Sequence, residues 1–178
     1  MDVMISAIAE ERTVTKVRDL VHSFSDNHVT VNYDEAHIGK NIRGLGNHPT
    51  LLLLVDLGVD YEFDLSSLPT DKSYIVYDDE VGQNINDVGC YVEKDRLVNL
   101  FYGLPGKFTG IVYLKDNELR AFKYMCEQIR YSRRFVWECL AELCDNPDCS
   151  IYAVPLSSLK QKENSLCIIT KKERINYD

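Results

Sequence analysis

Leu51-Leu52-Leu53-Leu54-Val55 is the longest unbroken apolar run in the chain, and it constrains the fold more than any other feature. The stretch Leu51–Leu57 lies between turn-forming residues, with Pro49 before it and Gly58 after it. Apart from Asp56 near its end, it therefore reads as a strand with no polar face. A sheet holds such a strand only where both of its faces are covered. The preceding sequence supplies neighbours for it. Asp2–Ala7 is a short apolar run that reads as a strand. Glu10–Phe24 places Val14, Val17, Val21 and Phe24 at helical spacing. His28–Tyr33 alternates Val29, Val31 and Tyr33 as a half-buried strand does. Asp34 to Leu45 holds a short helix, stopped by Gly44, Gly46 and Pro49. Strand, helix, strand, helix and buried strand in that order predict an α/β fold with an open, mostly parallel sheet flanked by helices.

Residues 58–107 break this rhythm. Short runs at Tyr74–Tyr77, Tyr91–Val92 and Leu97–Tyr102 alternate with turns rich in Gly, Pro and Asp. The stretch reads as a β-rich or irregular insertion, made acidic by Asp60, Glu62, Asp64, Asp78, Asp79 and Glu80, with Asp56 just before it. Phe108–Leu114 then restores a clean strand. From Leu119 to Leu143 apolar residues recur three and four apart with only Arg133 breaking the stripe, which predicts one helix of roughly 28 residues, or ~40 Å, with a bend near Tyr131–Arg134. Ser150–Val154 reads as the next strand, ended by Pro155, and Leu166–Thr170 as an edge strand. With no repeat and no linker, residues 1–178 are expected to form one domain with its insertion at 58–107.

Composition narrows the function. The 178 residues carry a formal charge of -8, so a nucleic-acid backbone is a poor partner, and Arg130, Arg133 and Arg134 are the candidates for a local basic patch. The first residues lack the basic-then-apolar pattern of a secretory leader, and no run approaches the ~20 apolar residues of a membrane span. A cytoplasmic location without membrane contact is the expectation. The six cysteines are scattered through apolar segments and read as reduced core thiols.

Several motifs tempt. Asp34-Glu35-Ala36-His37 spells a helicase box, but the phosphate cradle GxxxxGK[ST] that such chemistry requires is missing from the sequence. Tyr77-Asp78-Asp79-Glu80 imitates a cation-holding strand end, although exposed acidic turns are far commoner. His28-Val29-Thr30 and His48-Pro49-Thr50 are too close together for the paired triplets of a two-histidine phosphoesterase. Cys139, Cys144 and Cys149 lack the second doublet of a zinc site. The sequence predicts no metal site.

Three stretches taken together resemble a TIR domain, the Toll and interleukin receptor fold. Asp2-Val3-Met4-Ile5-Ser6 is similar to the family's first strand. Val31-Asn32-Tyr33-Asp34-Glu35 is similar to its second strand and exit, with Ile38-Gly39-Lys40 following as the family's glycine and short helix do. Cys139-Leu140-Ala141-Glu142-Leu143 is similar to its C-x-x-E-L helix, and Tyr152-Ala153-Val154-Pro155 to the strand after it. The resemblance implies cleavage of NAD as substrate, with no resident cofactor. Glu142 would then be the catalytic carboxylate and Glu138, one turn earlier, its reserve. Ser6 and Asp34 would contact the nucleotide at the strand ends. Other open-sheet folds that set a glutamate beside a nucleoside, such as nucleoside deoxyribosyltransferases, fit the same residues.

A second reading is a non-enzymatic regulator, inhibitor or immunity-type protein that meets a basic protein partner through Asp78, Asp79 and Glu80. A homo-oligomeric scaffold is the third.

Overall fold

The structure, a computed structural model, describes residues 2–6, 29–32, 45–54, 61–63, 67–159 and 166–168. Ten strands are present among them: β1 (Asp2–Ser6), β2 (Val29–Asn32), β3 (Thr50–Leu54), β4 (Tyr61–Phe63), β5 (Tyr74–Asp78), β6 (Val88–Glu93), β7 (Arg96–Tyr102), β8 (Lys107–Leu114), β9 (Tyr152–Pro155) and β10 (Leu166–Ile168). Two helices, α1 (Asp116–Glu127) and α2 (Val136–Cys144), follow β8. The helix expected over Glu10–Phe24 lies outside the described residues.

The apolar run does what its composition demands. β3 is buried along its whole length, with Leu51 and Leu53 at 0 % exposure and Leu52 at 2 %. It sits between β1, to which it runs parallel, and β8, to which it runs antiparallel. Successive side chains of a strand point to opposite faces. Leu52 and Leu54 accordingly join Ile75, Val112, Phe122 and Leu140 in the core beneath the helices.

The sheet itself departs from expectation. Its order is β2-β1-β3-β8-β5-β9-β7-β6, and β6 also pairs back to β8 at Gly89 and Lys107. β8, β5, β9, β7 and β6 therefore close on themselves as a barrel-like sheet, with β3, β1 and β2 extending from it. Among the described strands only β1–β2, β1–β3 and β5–β9 are parallel. The expected open, mostly parallel sheet is corrected to a closed, mixed one. The cause lies in residues 58–107. That stretch is β-rich as predicted, but β5, β6 and β7 are members of the main sheet. β4 pairs instead with β10, in a separate two-stranded sheet.

The single long helix is corrected to two. Gln128 and Phe135 both take extended backbone (ψ 129° and 155°), and a 3₁₀ turn at Ile129–Tyr131 fills the gap between them. Ile129, placed on the apolar stripe by spacing, is instead 90 % exposed. The start of α1 is tied to the sheet by Ser73, which is buried. Its hydroxyl accepts the Lys115 N–H at 3.0 Å and donates to Glu118 at 3.0 Å. Glu118 also accepts the Ser150 N–H at 2.8 Å, so one first-turn carboxylate joins β5, α1 and the approach to β9. Acidic residues suit that helix end, where the peptide dipoles expose positive charge.

Candidate active-site cleft

Strand direction decides where a ligand can sit. β1, β2 and β3 run parallel, and β5 and β9 run the same way because both β3 and β5 oppose β8. Their C-terminal ends share one end of the sheet with Lys107, the first residue of β8. In α/β sheets ligands bind in the crevice outside such ends. A cleft of about 260 Å³ lies there, against Leu54 at the end of β3. Val88, Phe108 and Val136 complete its apolar floor, Tyr102, Phe135 and Trp137 form an aromatic wall, and Asn86, Asp87 and Lys107 supply polar groups.

The wall is one aromatic cluster. Trp137 meets Tyr102 edge-on at 5.4 Å and Phe101 at 6.1 Å, and its ring is nearly parallel to Phe135, at 10° with centroids 6.5 Å apart. These separations suit favourable ring–ring contact. Phe101, Tyr102 and Phe135 nevertheless remain 57 %, 46 % and 38 % exposed, so the cluster presents a contiguous apolar face to solvent. Across the cleft, Lys107 Nζ pairs with Asp87 Oδ2 at 3.2 Å, with side chains only 17 % and 29 % exposed.

The seam that holds Lys107 depends on two glycines. The loop after β7 passes so close over β6 that a Cβ at Gly89 would lie 1.9 Å from the Leu104 carbonyl oxygen. At Gly106 a Cβ would lie 2.8 Å from the Tyr77 ring, and its φ of +75° also favours glycine. Cys90 locks the same turn: its N–H donates to the Gly106 carbonyl at 2.9 Å and its thiol to the same oxygen at 3.2 Å. Burial pushes that thiol up to about 12, so it stays protonated as a donor.

The residues singled out from sequence fall in several places. Ser6 ends β1 in register with Leu54, one strand from the cleft. Its side chain, and all of Asp34, lie outside the described residues. Glu142 opens on a different depression of about 280 Å³ between the helices, with Tyr124, Arg130 and Asn146. The Tyr131 hydroxyl donates to Glu142, which raises the tyrosine pKa, and Arg134 lies 4.0 Å from the same carboxylate. Glu138 accepts the Phe135 N–H at 2.7 Å and so closes the start of α2 with the glutamate half of a capping box. It holds the backbone of the aromatic wall in place.

The acidic turn is similarly engaged. Asp78 accepts the backbone N–H of Glu80 at 3.0 Å and of Val81 at 3.3 Å. Asp79 accepts the N–H and hydroxyl of Ser157. Partial burial works to raise the Asp79 carboxyl, but these donors outweigh it and hold the group below its usual range. Among the described residues no cluster of His, Cys, Asp and Glu could hold a metal ion. No described helix is long and apolar enough to cross a membrane. Lys107, Asp87 and Trp137 were missed by sequence reasoning. Of these, Trp137 alone carries a signal legible in one dimension, as the one tryptophan of the chain.

Comparison with known proteins agrees with the sheet. No family model and no curated protein matches the chain. Solved structures do, and three of them are nucleotidyltransferases by name. A Bacillus anthracis protein assigned as a glucose-1-phosphate thymidylyltransferase matches with a TM-score of 0.55 at 10 % identity, over 86 % of this chain and 66 % of that one. The inositol-1-phosphate CTP transferase of T. maritima matches at 0.52 and 11 % identity, over 87 % and 65 %. The CTP:phosphocholine cytidylyltransferase of Streptococcus pneumoniae matches at 0.51 and 11 % identity, over 92 % and 71 %. The chain thus has a nucleotidyltransferase-like fold and spans about two thirds of the length of these structures. The TIR resemblance is overturned by this likeness and by the closed, mixed sheet. Short strand and helix patterns common to many α/β folds produced it.

Proposed function

We propose that the chain binds a nucleotide in the cleft at the end of β3, with the base against Tyr102, Phe135 and Trp137 and a phosphate at Lys107. The observation that carries this reading is the pairing, in one cleft, of an exposed aromatic wall with a half-buried lysine. Base–aromatic stacking contributes about 1–3 kcal/mol per base and tolerates any base. A lysine supplies the point charge a phosphate seeks. The nucleotidyltransferase-like fold supports the reading by analogy. The three solved relatives are named for joining a nucleotide to a phosphorylated small molecule, and transfer of that kind is the reaction we propose the site to serve.

Trp137 makes the test direct, because it is the only tryptophan. Titration with the four ribonucleoside triphosphates should change its fluorescence saturably. Lys107→Met should weaken the triphosphates and leave the free nucleosides nearly unaffected. Pyrophosphate release in the presence of sugar phosphates or phosphocholine then tests transfer. No fluorescence response and no thermal shift at millimolar nucleotide would refute binding.

A further inference from the structure

The ion pair in the cleft bears on what else the ligand must bring. Asp87 is fixed at the rim by its backbone. Its N–H donates to the Asn84 carbonyl at 3.1 Å, and its own carbonyl accepts the Gly103 N–H at 3.0 Å. The carboxylate can turn, but the residue cannot leave. An ionised carboxylate only accepts hydrogen bonds, and here it takes its positive partner from Lys107. Once a phosphate occupies Lys107, Asp87 has to share that ammonium and faces a second negative charge. A ligand that also offers the carboxylate a donor offsets this repulsion, and one that does not leaves a partly buried anion under-paired. In any nucleotide the sugar lies between the base, here on the aromatic wall, and the phosphate, here on Lys107. The nearest donors to a carboxylate 3.2 Å from that ammonium are the sugar hydroxyls.

Resting on the nucleotide reading of the cleft, we infer that Asp87 is a specificity-determining residue. It accepts hydrogen bonds from the ligand's ribose hydroxyls, and the site takes ribonucleotides in preference to their deoxy forms. A site that bonds a ligand hydroxyl discriminates strongly against the analogue lacking it.

The test is a Trp137 fluorescence titration with CTP, UTP and their 2′-deoxy and 2′,3′-dideoxy forms, on wild type, Asp87→Ala and Asp87→Asn. In wild type, removal of the sugar hydroxyls should weaken binding roughly 10- to 100-fold, the equivalent of one or two bonds to a charged acceptor. Asp87→Ala should bind all forms within about twofold of one another, and the dideoxy forms at least as tightly as wild type does. Asp87→Asn keeps an acceptor oxygen and should retain part of the preference. Equal binding of ribo and dideoxy forms by wild type overturns the role of Asp87 while leaving the cleft as a nucleotide site. So does an Asp87→Ala protein of unchanged melting temperature that loses all forms equally, since Asp87 would then only orient Lys107. A preference for CTP over UTP that vanishes in Asp87→Ala also overturns it, by assigning the carboxylate to the base amino group. Absence of any response in wild type overturns both readings.

Discussion

Replacing Gly89 by alanine tests whether the barrel seam holds the cleft together. A Cβ there would lie 1.9 Å from the Leu104 carbonyl oxygen and 2.5 Å from its carbon. Contacts below 3.0 Å essentially never occur, so the loop must retreat by about 1 Å or more. It cannot retreat freely. Its ends are held by the Gly103 N–H on Asp87 at 3.0 Å and by the Gly106 carbonyl under Cys90 at 2.9 Å. Overpacking of this kind costs about 1–3 kcal/mol, and one weakened backbone bond adds about 1 kcal/mol. A total near 3 kcal/mol corresponds to a fall in melting temperature of about 6–12 °C for a chain of this size. Gly82→Ala is the control, because nothing lies within 4 Å of its added methyl, and it should stay within about 0.5 kcal/mol of wild type. Urea titration followed by far-UV circular dichroism, together with calorimetry, measures both. Gly89 also faces Lys107 across the β6–β8 seam, so the same substitution should weaken the nucleotide response of Trp137. A Gly89→Ala protein melting within about 2 °C of wild type would refute the argument that this close approach closes the barrel.

Two further outcomes follow from groups outside the cleft. Glu142→Gln weakens the bond from Tyr131 and should cost about 1 kcal/mol in urea stability, while nucleotide titration of Trp137 stays unchanged; loss of that response would return Glu142 to the ligand site. The thiols of Cys90, Cys126, Cys139 and Cys144 are each pushed by burial up to about 12. The folded state therefore keeps protons that the unfolded chain releases near pH 8.5, so this stabilisation is complete below that pH and is lost as pH rises towards 12. Each thiol steepens the fall by up to about 1.4 kcal/mol per pH unit, and Cys139→Ala should flatten it. Urea midpoints between pH 8 and 11 would show this, and a flat profile would contradict it.

Local elements were legible because their signals are local. The run at Leu51 announced a strand buried on both faces, and β3 is one. Alternation and turn residues marked nearly every other strand of the main sheet within two residues, β5 and β8 among them. The helix spacing from Leu119 to Leu143 was also real, since Leu119, Phe122, Leu140 and Leu143 are all buried. What spacing could not reveal is that residues 128–135 leave the helix. The apolar spacing runs to Ile129 and resumes at Val136, with only Arg133 between them out of pattern, while the backbone at Gln128 and Phe135 turns extended.

The site was illegible for a related reason. Which strands pair is a property of contacts far apart in the chain, and the chemistry of the cleft exists only once they have paired. Asp87 and Lys107 are twenty positions apart, in segments that look like turns. They meet because β6 folds back on β8, and that return depends on Gly89 tolerating Leu104 overhead. Trp137 reaches the same place from beyond α1, carried there by the capped start of α2. Glu138 and Glu142, by contrast, stood out because a carboxylate on an amphipathic helix is easy to see in one dimension. In three dimensions one is fixed by a cap and the other by a tyrosine. The groups that face the cleft have no such pattern, and their roles come from closure of the sheet.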